Sequence, residues 1–409
     1  MPTLVMLSSF GIVVVTYLFF SARVGNYINV LSPILFFQIP AYFALEPLHL
    51  YLFGPSGSNF AYFYCYLTYT LEIVALAIGY LAVPARLLRI FLRIPKLVIP
   101  GAPYLVLLAG LALYTPILIK YSQYISDPRR IYALTRTGYG LEFFLSSFAI
   151  YLALVLLLFS GKRHTPLRFL FMGIASLLLY LHGSKGQVLY FFLILLYFVV
   201  FVKQVRFGPA RMMTVVAGLV AVIIALFYLT FSPAGRADFL ESIAGYSDYT
   251  RNAMLVIDDP RLPIQYGRLT FQESAYALVP RTLFPEKPRN FGALWLAQRY
   301  FPERYAADTG APAFGIGVGY ADFGYLAFIY YAVTWMVAGM FMKVLVTRLK
   351  ERPDAGTFVL LLVMLQVPLI PAGAKVPLLA YYMCALGVRC ISRDQVSDIK
   401  IAPLVTDTM

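Results

Sequence analysis

The segment Val279-Pro280-Arg281-Thr282-Leu283-Phe284-Pro285-Glu286-Lys287-Pro288-Arg289 is the most polar and proline-stiffened stretch of an otherwise apolar chain. Its prolines fix φ and remove backbone donors, and the residues before them are pushed toward extended conformations. Arg281, Lys287 and Arg289 are therefore held on a semi-rigid scaffold. The chemistry that suits such a scaffold is the holding of an anion, because planar guanidinium groups pair with carboxylate or phosphate oxygens through two parallel hydrogen bonds. The alternative use of the same residues is a solvated surface loop. Position in the chain separates the two.

The remainder of the chain belongs in a membrane. Of 409 residues, 61% are hydrophobic and 13% charged, with a mean hydropathy of +0.76, whereas soluble domains are about 45–50% apolar. Cys65, Cys384 and Cys390 have no disulfide or metal spacing and read as packing residues. The net charge of +14 does not point to nucleic acid, because the basic residues fall mostly in short loops between apolar runs. No cleavable signal peptide is expected, since the first apolar run lacks a basic flank before it and a small-residue cleavage site after it.

Apolar runs near the roughly 20 residues that a bilayer requires occur at 4–20, 30–53, 60–83, 98–119, 142–160, 169–181, 188–202, 214–232, 314–346, 358–370 and 376–388. Arg86, Arg89, Arg93 and Lys96 mark the first inside loop, followed by Lys162, Arg163, His164 and Arg168, then Lys203, Arg206 and Arg211, then Arg348, Lys350 and Arg352. The expected fold is an all-α polytopic membrane protein of about 11 transmembrane helices, with its N-terminus outside and its C-terminus inside. Residues 1–232 carry the first eight helices and an outer loop at 120–141, 233–313 form one large external loop, 314–388 the last three helices, and 389–409 a cytoplasmic tail. The break His182-Gly183-Ser184-Lys185-Gly186-Gln187 between two short runs implies a partly submerged turn, which is tolerated only where it lines a protein or water-filled cavity.

Arg129, Arg130 and Arg136 in one outer loop, the cations of the large loop, and Lys185 and Lys375 in outward turns run against the positive-inside pattern. A physical reason is an anionic ligand approached from the outer leaflet, and a lipid-linked diphosphate fits. No phosphate-binding Gly-Lys-Ser/Thr loop, paired-Asp metal motif or His-rich ligand set occurs, which disfavours a nucleotide-sugar enzyme and gives no expected metal or cofactor.

Three motifs then resemble a family. Asp127-Pro128-Arg129-Arg130 through Arg136-Thr137-Gly138-Tyr139-Gly140, Val279-Pro280-Arg281 through Glu286-Lys287-Pro288, and Gly319-Tyr320-Ala321-Asp322-Phe323-Gly324 on a polytopic frame look like the O-antigen and exopolysaccharide repeat-unit polymerases, the Wzy family. The overall plan is similar to the membrane glycosyltransferase C and O-antigen ligase-polymerase architecture. That family carries an Arg, ten residues and a Gly in each of two periplasmic loops. Arg129 with Gly140 and Arg281 with Gly292 match, as do Arg299 with Gly310 and Arg304 with Gly315, so the Pro-Arg and Glu-Lys-Pro context carries the resemblance more than the spacing does.

The resemblance implies metal-independent glycosyl transfer at the periplasmic face of a bacterial inner membrane. A growing glycan on undecaprenyl diphosphate is the donor and the non-reducing-end hydroxyl of a lipid-linked repeat unit the acceptor; a polysaccharide co-polymerase that regulates chain length is a further partner to consider. Preorganised cations would stabilise charge developing on the leaving diphosphate. An O-antigen ligase acting on a lipid A core shares the topology and the arginine chemistry. A polyprenyl-linked glycan flippase should show an internal repeat, and none is evident.

Arg281 and Arg136 are the leading diphosphate contacts, with Arg129, Arg130, Lys185, Lys287, Arg289 and Lys375 around them; pairing with Asp127, Glu286 or Glu303 is the alternative for any one. The base that accepts the acceptor's proton is a carboxylate or His near the outer leaflet, and Glu142, Glu273, Glu286 and Asp322 qualify by location. Glu46 lies toward the outer end of its span, where water reaches it, while Glu72 and His182 suit interhelical hydrogen bonds. Tyr249, Tyr266 and Trp295 in the large loop are candidates to stack on sugars, with packing of short amphipathic helices such as 291–300 on the membrane surface as the other use.

Overall fold

The computed structural model describes residues 1–83, 101–135, 139–160, 166–183, 185–230, 238–276, 279, 284–306, 312–365 and 385–388. Among them all regular structure is helical. In chain order the helices are α1 (Pro2–Val24), a π-helical segment (Ile34–Leu45) leading into α2 (Glu46–Phe53), α3 (Asn59–Ala82), α4 (Ala102–Lys120), α5 (Pro128–Thr135), α6 (Gly140–Phe159), α7 (Pro166–Leu181), α8 (Lys185–Tyr197) with a π-turn to Val202, and α9 (Pro209–Thr230). The large loop holds α10 (Phe239–Ala244), α11 (Asp248–Ile257), α12 (Arg268–Tyr276), α13 (Ala293–Tyr300) and α14 (Pro302–Ala306). Then come α15 (Gly317–Phe323), α16 (Ala327–Glu351) and α17 (Ala355–Met364).

Five helical stretches among the described residues are long and apolar enough to cross a membrane: Pro2–Val24, Asn59–Ala82, Ala102–Lys120, Glu142–Phe159 and Gly317–Glu351. Four shorter apolar helices coincide with four more of the expected spans. The run 30–53 is π-helical over its first half, with Pro40 inside it; a proline removes one donor and crowds the preceding turn, which a wider turn relieves. The expected span at 376–388 lies almost wholly outside the described residues. The chain is thus an all-α membrane protein.

Two apolar cores hold it together, and α3 belongs to both. The bundle core joins the C-terminal half of α3 (Ile73, Leu76, Tyr80) to α1, α4, α6, α7, α8, α16 and α17. The loop core joins the N-terminal half of α3 (Ala61, Tyr62, Tyr66) to Met254 and Val256 of α11, Leu296 and Ala297 of α13, and Val318 and Ala321 of α15. Within the bundle, α3 and α16 approach until backbone meets backbone. A Cβ added at Gly79 would lie 2.0 Å from the Met336 carbonyl oxygen, and one at Gly339 would lie 2.2 Å from the Leu76 carbonyl oxygen. Small residues at such crossings let membrane helices pack through their backbones.

Two expectations need correction. The span at 314–346 does not run unbroken: the helix ends at Phe323 with Gly324 at φ +58, and the long helix begins only at Ala327. The physical reason is that Val318 and Ala321 are buried in the loop core and that Asp322 is engaged there, as described below. The helix expected at 291–300 forms as Ala293–Tyr300, but Leu296 and Ala297 are fully buried against protein, so protein rather than a membrane surface takes its apolar face.

Candidate functional site

The segment expected as the first outer loop is ordered around α5. Asp127 opens the helix, its backbone carbonyl and its Oδ1 accepting from the Arg130 amide at 3.0 and 3.3 Å. Ile131 and Thr135 point inward while Arg129 and Arg130 are exposed, the Arg130 guanidinium lying 4.3 Å from the Tyr124 ring centroid. The helix is seated on the turn at His182-Gly183. A Cβ at Gly183, where φ is +71, would lie 1.9 Å from the Pro128 carbonyl oxygen and 3.0 Å from the Arg129 nitrogen, so only glycine permits this seating. His182 anchors the turn from below: buried, it bonds Ser146 Oγ at 2.8 Å and the Leu178 carbonyl at 2.6 Å and stacks on Tyr114 at 3.9 Å. The bond to Ser146 on α6 is the interhelical role expected from its type. The same turn starts α8, whose first residue is Lys185.

The large loop and the segment after it are tied to the N-terminal ends of α3 and α16. Asp258, at the end of α11, accepts from the Ser58 amide at 2.6 Å and from Ser58 Oγ at 2.5 Å, at the residue that caps α3. Tyr64 donates toward the Gly324 and Tyr325 carbonyls and accepts from the Phe328 amide at 3.1 Å. Glu46 is fully buried, not bathed in water as its position suggested. Tyr62 donates to its Oε1 at 2.9 Å, with Ser247, the residue before α11, nearby and the charge of Arg251 of α11 acting on it.

Asp322, one of the four candidate bases, is also fully buried. Its Oδ1 accepts from the Leu269 amide at 2.9 Å, and its Oδ2 accepts from the Thr270 amide at 2.8 Å and the Thr270 hydroxyl at 2.7 Å. It caps α12 from a distant part of the chain, and its hydrogen-bonding capacity serves that purpose. Glu273 packs against Gly292, where a Cβ would lie 2.8 Å from the Glu273 Cβ. Glu286 is exposed, and Glu142 stands half-buried in the first turn of α6.

Lys287 donates to the Val279 carbonyl at 3.0 Å and lies 4.6 Å from the Phe291 ring centroid, which folds the basic segment back on itself. Arg289 is exposed. Arg136, Arg281 and Lys375 lie outside the described residues, as does the side chain of Lys185. Arg299, from the same cationic loop, is committed elsewhere: it meets Asp259 Oδ2 at 2.7 Å, and Tyr300 donates to that oxygen at 2.8 Å. The bonded Arg299 holds the Asp259 carboxyl below its ordinary range.

Of the three sugar-stacking candidates, Tyr266 is 87% exposed with a left-handed backbone (φ +51) and stands apart. Trp295 is half-buried with Arg268 over its ring at 5.8 Å. Tyr249 alone faces the membrane helices. Its phenol is within electrostatic reach of Tyr132 on α5, Tyr42 on the π-helical segment and Tyr190 on α8, and burial, followed by the charge of Asp248, pushes it up. Sequence reasoning missed Tyr42, Tyr69 and Tyr190 because tyrosines inside apolar runs read as packing. The signal that could have found them is the four-residue spacing of Gln38, Tyr42 and Glu46, which keeps three polar groups on one helical face.

The chain is 30% identical over 366 residues to proteins described as O-antigen polymerase from Salmonella typhimurium and from Salmonella typhi, in each case covering 88% of both chains. No family model matches the chain, and no solved structure does. Identity at that level across nearly the whole length, on an all-helical membrane frame, means that the chain belongs to the O-antigen polymerase family, the Wzy polymerases.

Proposed function

We propose that this polymerase transfers a growing glycan from undecaprenyl diphosphate to the non-reducing end of a lipid-linked oligosaccharide repeat unit, without a metal, at the periplasmic face of the inner membrane. The observation that carries this reading is the seating of α5 on the Gly183 turn. It sets two exposed arginines beside the residues leading to Lys185. Arg136, next in sequence after α5, and Arg281, Lys287 and Arg289 complete the cationic ring in this reading, with Lys375 at its edge. The N-terminus is periplasmic and the C-terminus cytoplasmic.

In the reaction the acceptor hydroxyl oxygen attacks the anomeric carbon of the donor sugar, the bond from that carbon to the diphosphate oxygen breaks, and the hydroxyl proton passes to a carboxylate. Charge gathers on the leaving diphosphate, where preorganised cations act most strongly. Both substrates are already confined to one leaflet, which supplies proximity. Glu142, Glu273 and Glu286 remain the candidate acceptors of the proton; Asp322 leaves that group because its oxygens are taken up in capping α12.

The test is polymer formation by purified protein from synthetic lipid-linked repeat units in EDTA, with wild type, Arg281→Ala and Arg281→Lys compared per folded molecule. Chain growth on the lipid diphosphate should persist in EDTA. Arg281→Ala should abolish it, and Arg281→Lys should recover little, because a point charge loses a two-bond contact worth about 1.5–3 kcal/mol. Wild-type chains from the Lys variant would remove Arg281 from the site, and transfer only to added lipid A core would make the protein a ligase.

A further inference from the structure

The C-terminal end of α3 gathers cations that the proposed reaction leaves unused. α3 starts next to Ser58, which bonds Asp258 of the large loop, and its 24 residues cover about 36 Å, more than the roughly 30 Å core of a bilayer. α16 starts beside Tyr64, crosses α3 at Gly79 and Gly339, and brings Lys343 to the Tyr80 ring, with Nζ 5.0 Å from the centroid. Its last two turns therefore lie at the end of α3 away from the loop, and Lys350 follows Lys343 on the same face about 10 Å further along. Both helices are among the stretches long and apolar enough to cross a membrane, so this end meets lipid headgroups.

A second basic segment, 203–207, is strapped against the end of α16. On one side Asn26, just past α1, donates from Nδ2 to the Val205 carbonyl at 3.2 Å and accepts from the Phe207 amide at 3.0 Å, while the Tyr27 amide donates to the Phe207 carbonyl at 3.0 Å. On the other side Gln204 Nε2 donates to the Lys350 carbonyl at 3.3 Å. Lys203 and Arg206, which flank Gln204, are thus fixed beside Lys350, whose ammonium feels the charges of Lys343 and Arg206. Other cations at this end are used by the protein itself. Phe198, beneath Lys203, packs on Phe159 at the end of α6; there Arg168 Nη2 donates to the Leu157 carbonyl at 2.9 Å and to Ser160 Oγ at 2.7 Å. Arg348 meets Asp354 at 3.5 Å. By contrast, Lys203, Arg206, Lys343 and Lys350 form no ion pair among the described residues. Glu351 follows Lys350 in the chain, but successive residues of a helix diverge by about 100°.

We propose that residues 203–207 and the last two turns of α16 bind the phosphate of an anionic phospholipid, with Arg206 and Lys350 touching its oxygens and Lys203 and Lys343 flanking them. Like charges held side by side by backbone hydrogen bonds repel one another, and an anion among them turns that repulsion into attraction. A guanidinium beside an ammonium suits a phosphate, the first through paired hydrogen bonds and the second as a point charge. Lipid is the source because basic clusters at the ends of spans attract anionic headgroups. The half-buried Lys343 lays its apolar stem along α16 and carries its charge outward. Ile329, Val333 and Val337 of α16 are exposed at four-residue spacing, an apolar stripe against which an acyl chain packs. The site is independent of the proposed function, since it lies at the opposite end of α3 from the large loop.

Purified full-length protein in mild detergent is titrated with phosphatidylglycerol and with phosphatidylcholine of the same acyl chains, and bound lipid is counted by native mass spectrometry. Wild type should prefer phosphatidylglycerol. Arg206→Gln and Lys350→Gln should each weaken that lipid about fivefold, the effect of one basic residue at an anionic lipid surface. Phosphatidylcholine binding and the melting temperature without added lipid should not change, and Lys350→Arg should bind phosphatidylglycerol at least as tightly as wild type. A double Arg23→Gln, Arg211→Gln variant removes two exposed cations of α1 and α9 and should behave as wild type. An equal fall in that variant would overturn the proposal in favour of diffuse surface charge. So would the absence of any preference in wild type, which leaves the four cations simply solvated. A melting temperature lowered by the Gln variants before lipid is added would overturn it in favour of a structural role. Inorganic phosphate separates the sources: if it displaces phosphatidylglycerol at equal concentration, the site serves a soluble anion and the lipid assignment falls.

Discussion

The two halves of α3 face different neighbours and are held in different ways. The C-terminal half lies in the bundle, where Gly79 and Gly339 let backbone touch backbone and the surrounding side chains are apolar. The N-terminal half is lined with tyrosines whose hydroxyls do the joining: Tyr62 to Glu46, Tyr64 to the Gly324 and Tyr325 carbonyls, and Tyr66 to the Tyr42 carbonyl at 2.6 Å. Close packing has one good solution and resists change. A hydrogen-bonded interface can exchange partners, including for the hydroxyls of a substrate. The difference places rigidity in the C-terminal half of the helix and exchangeable hydrogen bonds in the N-terminal half, within one continuous element that fixes their distance.

The comparison breaks hardest in the bundle. Gly339→Val puts side-chain atoms where the Leu76 carbonyl already lies, so α16 must move away from α3, at a cost of more than about 3 kcal/mol. Folded, membrane-inserted protein should be nearly lost on size exclusion, and a normal yield would show that the glycine contact is not what seals the bundle. The next effect falls on the loop side. Asp322→Ala strips the buried Leu269 amide and the half-buried Thr270 amide and hydroxyl of α12 of their acceptor, at about 2–4 kcal/mol. Limited proteolysis should cut the loop faster while the bundle helices stay protected, and polymer per folded molecule should survive. Loss of polymer with an intact loop would return Asp322 to the role of base.

Much of the fold was legible because a bilayer demands long apolar helices, and those runs appear directly in the chain. The positions of Arg129 and Arg130 outside the membrane helices, and of Gly183 in a turn, were likewise readable from charge and from glycine. The split at Gly324 was not, since Val318 and Ala321 look the same in sequence whether they face lipid or the loop core. Glu46 was misread for a related reason: local sequence shows that it sits near a helix end but not that Tyr62 bonds it with Ser247 nearby and the charge of Arg251 acting on it. Asp322 qualified as a candidate base by its expected location alone; its use as a cap depends on α12, which lies more than fifty residues earlier in the chain.

The smallest effect sharpens the comparison at the outer surface of the loop. Asp259 accepts from Arg299 and Tyr300 on a side chain that is 16% exposed, beside an Arg299 that is 35% exposed. Solvent screening at such a site limits the pair to about 0.3–1 kcal/mol. The sign follows from the carboxyl, whose pKa is lowered in the folded protein chiefly by its bond with Arg299. A depressed carboxylate contributes stability that is fully present above its unfolded pKa of about 3.9 and is lost as pH falls through the lower folded value. Asp259→Asn should therefore lower the melting temperature of the full-length protein slightly at pH 7, with the gap closing as the pH is taken below about 4 and narrowing in high salt. If the gap is the same at low pH and at high salt, the neutral hydrogen bond from Tyr300 carries the contact and the charge pair contributes nothing. The loop surface would then resemble the N-terminal half of α3, joined by tyrosine hydroxyls instead of charges.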